Sequence, residues 1–382
     1  MRLRDIFLAD NVIDDFLNKY RTSLTPHQVQ EIQKMLLCQD PSRGFSVFEC
    51  AKCERMEVVH MSCNSRLCPS CGKRLTDQWA KSVMRRMLPV KHRHCIFTLP
   101  DELWSMMRDD REMVKIAFGL LLETVEEVFS NAYDGRIIPG ITAVLHTFGE
   151  DMKFNVHFHT LVTCGGVNTK NEWVEFHYFP YDALRMVWQY KVLTAIKAYL
   201  PKNRENAVLI DKLFKDHPDG FYVRAKDIVE CNKGKGLLKY IVRYVRHPAI
   251  AQSRILDFDG KTVTFICKKG REAGKKISMP VMEFLFALVQ HIPPKGFPLI
   301  KHLGIYANRS RSKFAAVFSI FGKVYAGIQK RLFRPKKKCT VCGEPMKLLE
   351  RIGSSDPPPH LLLPNYSGQL KLHSAISRNL RR

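Results

Sequence analysis

Between residues 50 and 71 the chain reads CAKCERMEVVHMSCNSRLCPSC. Two C-x-x-C pairs, Cys50/Cys53 and Cys68/Cys71, stand fourteen residues apart. Each pair lets two thiolates approach one ion from a tight knuckle, and two knuckles complete a tetrahedral site. The spacing therefore predicts a structural Zn²⁺ on Cys50, Cys53, Cys68 and Cys71. Cys63 or His60 can replace one of these ligands, and Cys38 lies nearby. A redox pair would need a strand–helix context that this stretch lacks. A further knuckle, Cys339/Cys342 in CTVCG, is half a site, with His360 and His373 as candidates to complete it.

Composition narrows the function. The 382 residues are 45% hydrophobic, enough for a sizeable core shared between two or three domains. Lys and Arg number 61 against 37 Asp and Glu, a formal charge of +24, which points to a polyanion and most simply to nucleic acid. The excess is concentrated: from Phe284 to Gly343 there is no acid at all. Aromatic and aliphatic residues interleave with the cations there, so this segment is expected to fold and present a basic face to phosphates, Lys336, Lys337 and Lys338 included. No apolar run is long enough to span a bilayer, and MRLRDIFLADNVIDDF breaks its apolar residues with acids, unlike a secretory signal. No membrane partner is expected. Twelve cysteines in such a chain favour metal sites or burial over a disulfide framework.

The periodicity mixes helices with antiparallel hairpins. TPHQVQEIQKMLLC carries a threonine cap and Pro at the first helical position. Residues 75–88, 110–130, 181–200 and 236–247 are predicted as helices, and HRHCIFTLP (92–100) as a strand closed by Pro100. ITAVLHTF and FNVHFHTLVTC form a hairpin through GEDMK, and RILDFDGKTVTFICKK forms another through Asp259-Gly260. The fold class is α+β, following a small Cys-rich domain.

Two features carry chemistry. In FNVHFHTLV, alternation puts Phe154, Val156, Phe158, Thr160 and Val162 on one strand face, and Asn155, His157, His159 and Leu161 on the other. The first face reads as core, and the second displays two neighbouring imidazoles. In LLKYIVRYVRH, Tyr240 and Tyr244 lie at i and i+4, one helical turn apart at the rim of an apolar arc, beside Lys239, Arg243, Arg246 and His247. A phenol titrates near ~10, so reaction as phenolate at neutral pH needs such cations, a metal or a base.

FNVHFHTLVTCGG, GLLKYIVRYVRHPAIAQSRI and FPLIKHLGIYANR, behind a Cys-rich domain, resemble the HUH-superfamily two-tyrosine rolling-circle transposases of bacterial insertion sequences. HCIFTLP resembles the strand that opens their nuclease core. The likeness runs from about Cys38 to Gly343. It departs where Asn155-Val156 replace a frequent His-Pro, and where Leu67 replaces a frequent His.

The resemblance implies a central antiparallel nuclease sheet with helices. It implies His157 and His159 as ligands of a catalytic Mg²⁺ or Mn²⁺, and Tyr240 and Tyr244 as paired nucleophiles. His146 is the candidate third ligand, with Glu150, Asp151 and His247 as rivals. Arg243, Arg246 and Lys336–Lys338 are the expected DNA contacts. The expected domains are a helical zinc-binding domain (1–88), a catalytic domain (89–275) and a basic DNA-contacting region with a loosely ordered tail (276–382). The implied partners are single-stranded DNA, the element's ends and target DNA, in the bacterial cytoplasm at the nucleoid. A zinc-dependent nucleic-acid-binding regulator without catalysis explains the charge and the cysteines, but not the histidines with the tyrosines.

Overall fold

The computed structural model describes residues 1–84, 87–133, 135–229, 249–268, 273–310, 312–320 and 337–353. Three short helices open the chain: α1 (Leu3–Phe7), α2 (Val12–Lys19) and α3 (Pro26–Leu36). Thr25 caps α3 as the sequence indicates. Its hydroxyl accepts from the Gln28 N–H, and Gln28 returns a bond to the Thr25 N–H. A hairpin follows, β1 (Gly44–Cys50) and β2 (Met56–His60), then α4 (Pro69–Met84). This helix starts six residues before the predicted 75, because the second C-x-x-C runs directly into its first turn.

The centre of the chain builds a six-stranded antiparallel sheet. Its strands are β3 (His92–Thr98), β4 (Ile138–Phe148), β5 (Phe154–Val167), β6 (Trp173–Glu175), β7 (Val223–Val229) and the late β11 (Ile300–Gly304). The order is β11-β4-β5-β3-β7, with β6 paired to β5. Helices α5 (Trp104–Asp109), α6 (Arg111–Ala132), α7 (Tyr181–Tyr199) and α8 (Arg204–Asp216) complete this part. One sheet face, with Phe97, Ile141, Ala143, Val156, Phe158 and Val162, joins Phe118, Leu121 and Trp188 of these helices in one core. The alternation read from FNVHFHTLV is thus realised, and every one of Val156, Phe158 and Val162 is fully buried.

A three-stranded sheet of β8 (Ile255–Phe258), β9 (Thr262–Ile266) and β10 (Lys276–Pro280) precedes α9 (Val281–Gln290). Gly260 at its first turn takes φ 91°, which suits the Asp-Gly pair. The chain then forms β11, α10 (Ala315–Ile320) and β12 (Met346–Gly353).

Contacts do not follow the linear partition at 88 and 275. Helices α1–α3 share one core with Cys63, Cys68, Cys71, Ile255, Val263, Phe265 and the buried side of α9. The 255–266 hairpin therefore belongs with the N-terminal helices. Residues beyond 276 supply α9 to that lobe, β11 to the central sheet beside β4, and β12 to a second sheet beside β1. The described parts of the acid-free segment (284–310, 312–320 and 337–343) fold, but they are distributed over three units rather than forming a separate region. The helix predicted at 236–247 and the tail from 354 lie outside the described residues.

Candidate active site and metal centres

The face of the central sheet opposite the helical core divides in two. Toward one end, Val144, Leu161, Ile305, Tyr306 and Val317 pack with Ala80 and Val83 of α4. Toward the other end the same face carries imidazoles. His146 of β4 and His157 of β5 are register partners, and His159 follows two residues along β5. Ring centroids lie 5.4 Å apart for His146–His157, 4.4 Å for His146–His159 and 5.0 Å for His157–His159. One ligand nitrogen from each falls within 4.8 Å of the others. The expected pair and its expected third partner are thus brought together, because antiparallel pairing sets His146 directly across from His157. Of the rivals, Glu150 is engaged elsewhere: its carboxylate accepts from the Lys268 N–H at 2.8 Å and pairs with Arg254 at 3.6 Å. Asp151 accepts from the Lys153 N–H at 3.2 Å. His247 lies outside the described residues.

The ring nitrogens are oriented. His157 Nδ1 lies 3.0 Å from the Asn155 carbonyl, which can only accept, so Nδ1 carries the proton and Nε2 keeps its lone pair. Position 155 acts through its backbone, which any residue there supplies. Burial holds the His157 pKa down to about 4, so this ring is neutral at physiological pH, as a ligand must be. His159 Nδ1 lies 3.0 Å from Nε2 of His94 on β3, the two rings parallel within 4°. If His159 donates in this contact, its Nε2 is also left as a lone pair. Sequence reading missed His94, whose signal was its even spacing from His92 in HRHCIF. Three imidazoles from two adjacent strands fit one divalent ion and suit Mn²⁺ better than Mg²⁺. They would occupy one side of it and leave the opposite side to substrate oxygens.

Tyr240, Tyr244, Arg243, Arg246 and Lys336 lie outside the described residues. Lys338 is exposed. Lys337 is not a free cation: its Nζ sits 2.7 Å from Glu57, whose carboxyl is held down to about 2 by Lys337 and the Thr340 hydrogen bonds.

The cysteines regroup. Cys38, Cys63, Cys68 and Cys71 form one cluster, and Cys50, Cys53, Cys339 and Cys342 form another. The single tetrad expected from adjacent C-x-x-C pairs is therefore split. The β1–β2 hairpin carries Cys50/Cys53 away from Cys68/Cys71, and each knuckle takes a different partner. In the first cluster Sγ separations are 3.6 Å for Cys38–Cys71, 3.5 Å for Cys63–Cys71 and 3.7 Å for Cys38–Cys68. Neighbouring thiols hold Cys38 down to about 6 and lower Cys71, while they raise Cys63 and Cys68. Four thiols so close ionise together only with a cation among them. In the second cluster, backbone N–H groups within each knuckle hold down Cys50 and bring Cys339 to about 6.

Two family models match the chain. The one described as "Transposase zinc-binding domain" covers residues 8–99, and the one described as "Putative transposase" covers 140–313. The first cysteine cluster lies inside the former and all three histidines inside the latter. Over 374 residues, 90% of this chain and 88% of the relative, the sequence is 26% identical to the transposase for insertion sequence element IS801 of Pseudomonas savastanoi pv. phaseolicola. Over 311 residues, 76% of this chain and 77% of the relative, it is 26% identical to "Putative transposase y4qJ" of Sinorhizobium fredii. No solved structure matches. No helix among the described residues is long and apolar enough to cross a membrane. The chain thus pairs a match to a transposase zinc-binding domain with a match to a putative-transposase domain behind it, and it is similar to an insertion-sequence transposase over nearly its whole length.

Proposed function

We propose that this transposase cleaves and rejoins single-stranded DNA through a 5′-phosphotyrosine, moving its element by rolling-circle transposition. The observation that carries the reading is the convergence of His146, His157 and His159 on one sheet face, with ligand nitrogens within 4.8 Å. A divalent ion held there, Mn²⁺ or Mg²⁺, would polarise the scissile phosphate and favour departure of the 3′-oxygen. Tyr240 or Tyr244 attacks phosphorus through its phenolate oxygen. The P–O3′ bond breaks, the 3′-oxygen takes a proton, and the 5′ end stays on the tyrosine. A 3′-hydroxyl then attacks the phosphotyrosine and releases the phenolate, so the bond is conserved without ATP. The zinc-binding lobe and the basic late segment hold the DNA.

The test is a single-stranded oligonucleotide carrying the element's end, labelled at either terminus and incubated with full-length protein and Mn²⁺. A 5′-linked protein–DNA band that survives boiling in detergent, with a free 3′-hydroxyl on the other fragment, is expected. Cleavage without any covalent band would leave a hydrolytic nuclease, and binding without cleavage a regulator.

A further inference from the structure

We propose that Cys50, Cys53, Cys339 and Cys342 hold a second structural Zn²⁺ that fastens the late strand β12 to the early hairpin β1–β2. The zinc-binding family match ends at residue 99, so half of this site lies beyond it. Nothing in this site depends on strand transfer.

Zinc–sulfur bonds of ~2.3 Å in a tetrahedron place sulfurs about 3.8 Å apart. Here Sγ separations are 3.4 Å for Cys50–Cys342, 3.5 Å for Cys53–Cys339 and 3.8 Å for Cys53–Cys342. A slight expansion around an ion gives the regular site.

The two knuckles are built alike, although they are nearly 300 residues apart in the chain. In the first, the Glu54 N–H donates to the Cys50 carbonyl at 2.8 Å, and the Cys50 N–H to the Arg55 carbonyl at 3.0 Å. In the second, the Gly343 N–H donates to the Cys339 carbonyl at 3.0 Å, and the Cys339 N–H to the Glu344 carbonyl at 2.8 Å. The residue after each second cysteine is left-handed, Glu54 at φ 54° and Gly343 at φ 72°. At Gly343 this is easy. At Glu54 it is a strained choice that serves to point both thiols inward.

Packing supplies the need. The β12-β1-β2 sheet has a core of Cys50, Cys339 and Met346, with Phe48 and Cys342 against it. After Met346 every residue of β12 is exposed. So small a core cannot hold a strand in place, and such units ordinarily depend on a metal or a disulfide. Polar contacts help to seat the second knuckle: Glu57 of β2 accepts from the Thr340 N–H at 2.9 Å and the Thr340 hydroxyl at 2.7 Å. The site is also more open than the first, with Cys53 exposed and Cys342 half-buried, whereas three of four cysteines in the first are buried.

The experiment counts zinc in full-length protein by native mass spectrometry, backed by cobalt substitution and its thiolate charge-transfer absorbance. Wild type is expected to hold two ions per chain. The C339S/C342S double variant should hold one, with hydrogen exchange of 346–353 accelerated about tenfold or more and that of α1–α3 unchanged. C342H should keep the second ion, since imidazole replaces a thiolate in such sites. Should the serine variant fail to fold, graded chelation of wild type decides: the first ion released should expose β12 and leave α1–α3 protected. One ion in wild type, two in the serine variant, or a first release that opens α1–α3 instead would overturn the proposal.

Discussion

Acid should loosen this protein through histidines that are buried neutral. His92 shows the cause most plainly. Its Nδ1 donates to the Val90 carbonyl at 2.8 Å, and its Nε2 accepts from the Tyr306 hydroxyl at 2.7 Å. That hydroxyl oxygen in turn accepts from the Leu88 N–H at 3.0 Å. A second proton on the ring would remove the acceptor from this chain, and burial alone already brings the pKa from 6.5 to about 4. His291 is alike: half-buried, contacting Thr147 and the Met152 carbonyl, its pKa is about 4 as well, lowered first by burial. Both folded values are depressed, so between pH 4 and 6.5 the unfolded chain binds more protons and stability falls with falling pH. At pH 5 each ring is about 10% protonated when folded and about 97% when unfolded, an uptake near 0.9 proton each on unfolding. Acidification from pH 7 to 5 then costs about 2 kcal/mol per histidine. His157 is left out of the sum because a bound ion would compete with its proton. Calorimetric unfolding at pH 5 in buffers of different ionisation enthalpy reads proton uptake directly. The H92N/H291N double variant should take up about 1.8 fewer protons than wild type, and its midpoint should fall less between pH 7 and 5. Equal uptake by the two proteins would refute the argument, because carboxylates titrating in the same range are common to both.

Replacing His146, His157 or His159 with Ala should abolish Mn²⁺ binding by titration calorimetry and the covalent adduct with it, while DNA binding stays within about twofold, since the basic surface is untouched. H94F should weaken Mn²⁺ binding about 10- to 100-fold with the three ligands intact, as loss of a ring-orienting partner does; unchanged affinity would confine His94 to packing. Y240F and Y244F should each retain some strand cleavage, unequally, and each fail in complete transposition, whereas the double variant should form no adduct. Single-stranded DNA affinity should fall with salt with a log–log slope of about −0.7 per phosphate contacted, and truncation before Lys336 should flatten it. C38S should unfold α1–α3, because it removes a half-buried ligand packed against their core, and circular dichroism would report the helix loss.

Local features of the site and fold are legible in the amino-acid sequence. The Thr25 cap, the Asp259-Gly260 turn and the β4–β5 hairpin depend on neighbours along the chain, and period-two alternation alone puts His157 and His159 on one face. Pairing the two strands then sets His146 opposite His157. Non-local partners are not legible. Thiols carry no label for which knuckle they join, so the nearest two C-x-x-C pairs look like one site, although Cys50 meets Cys342 across 292 positions. The partners of β11 and β12 precede them by more than 150 residues, so no periodicity announces the sheets they enter. Lys337 reads as a phosphate contact because its ion-pair partner, Glu57, is equally remote.

The shared core of the N-terminal helices and α9 dictates an order of events at the ribosome. Leu3, Ile6, Phe7 and Phe16 wait for Phe284, Leu285, Leu288 and Val289 to close over them. Synthesis at ~5–20 residues per second leaves that apolar surface open for tens of seconds while β3, β4 and β5 emerge and pair. An element copy interrupted before codon 281 would make a chain whose first lobe never closes, a ready substrate for chaperones and proteases rather than a dominant competitor for the element's ends.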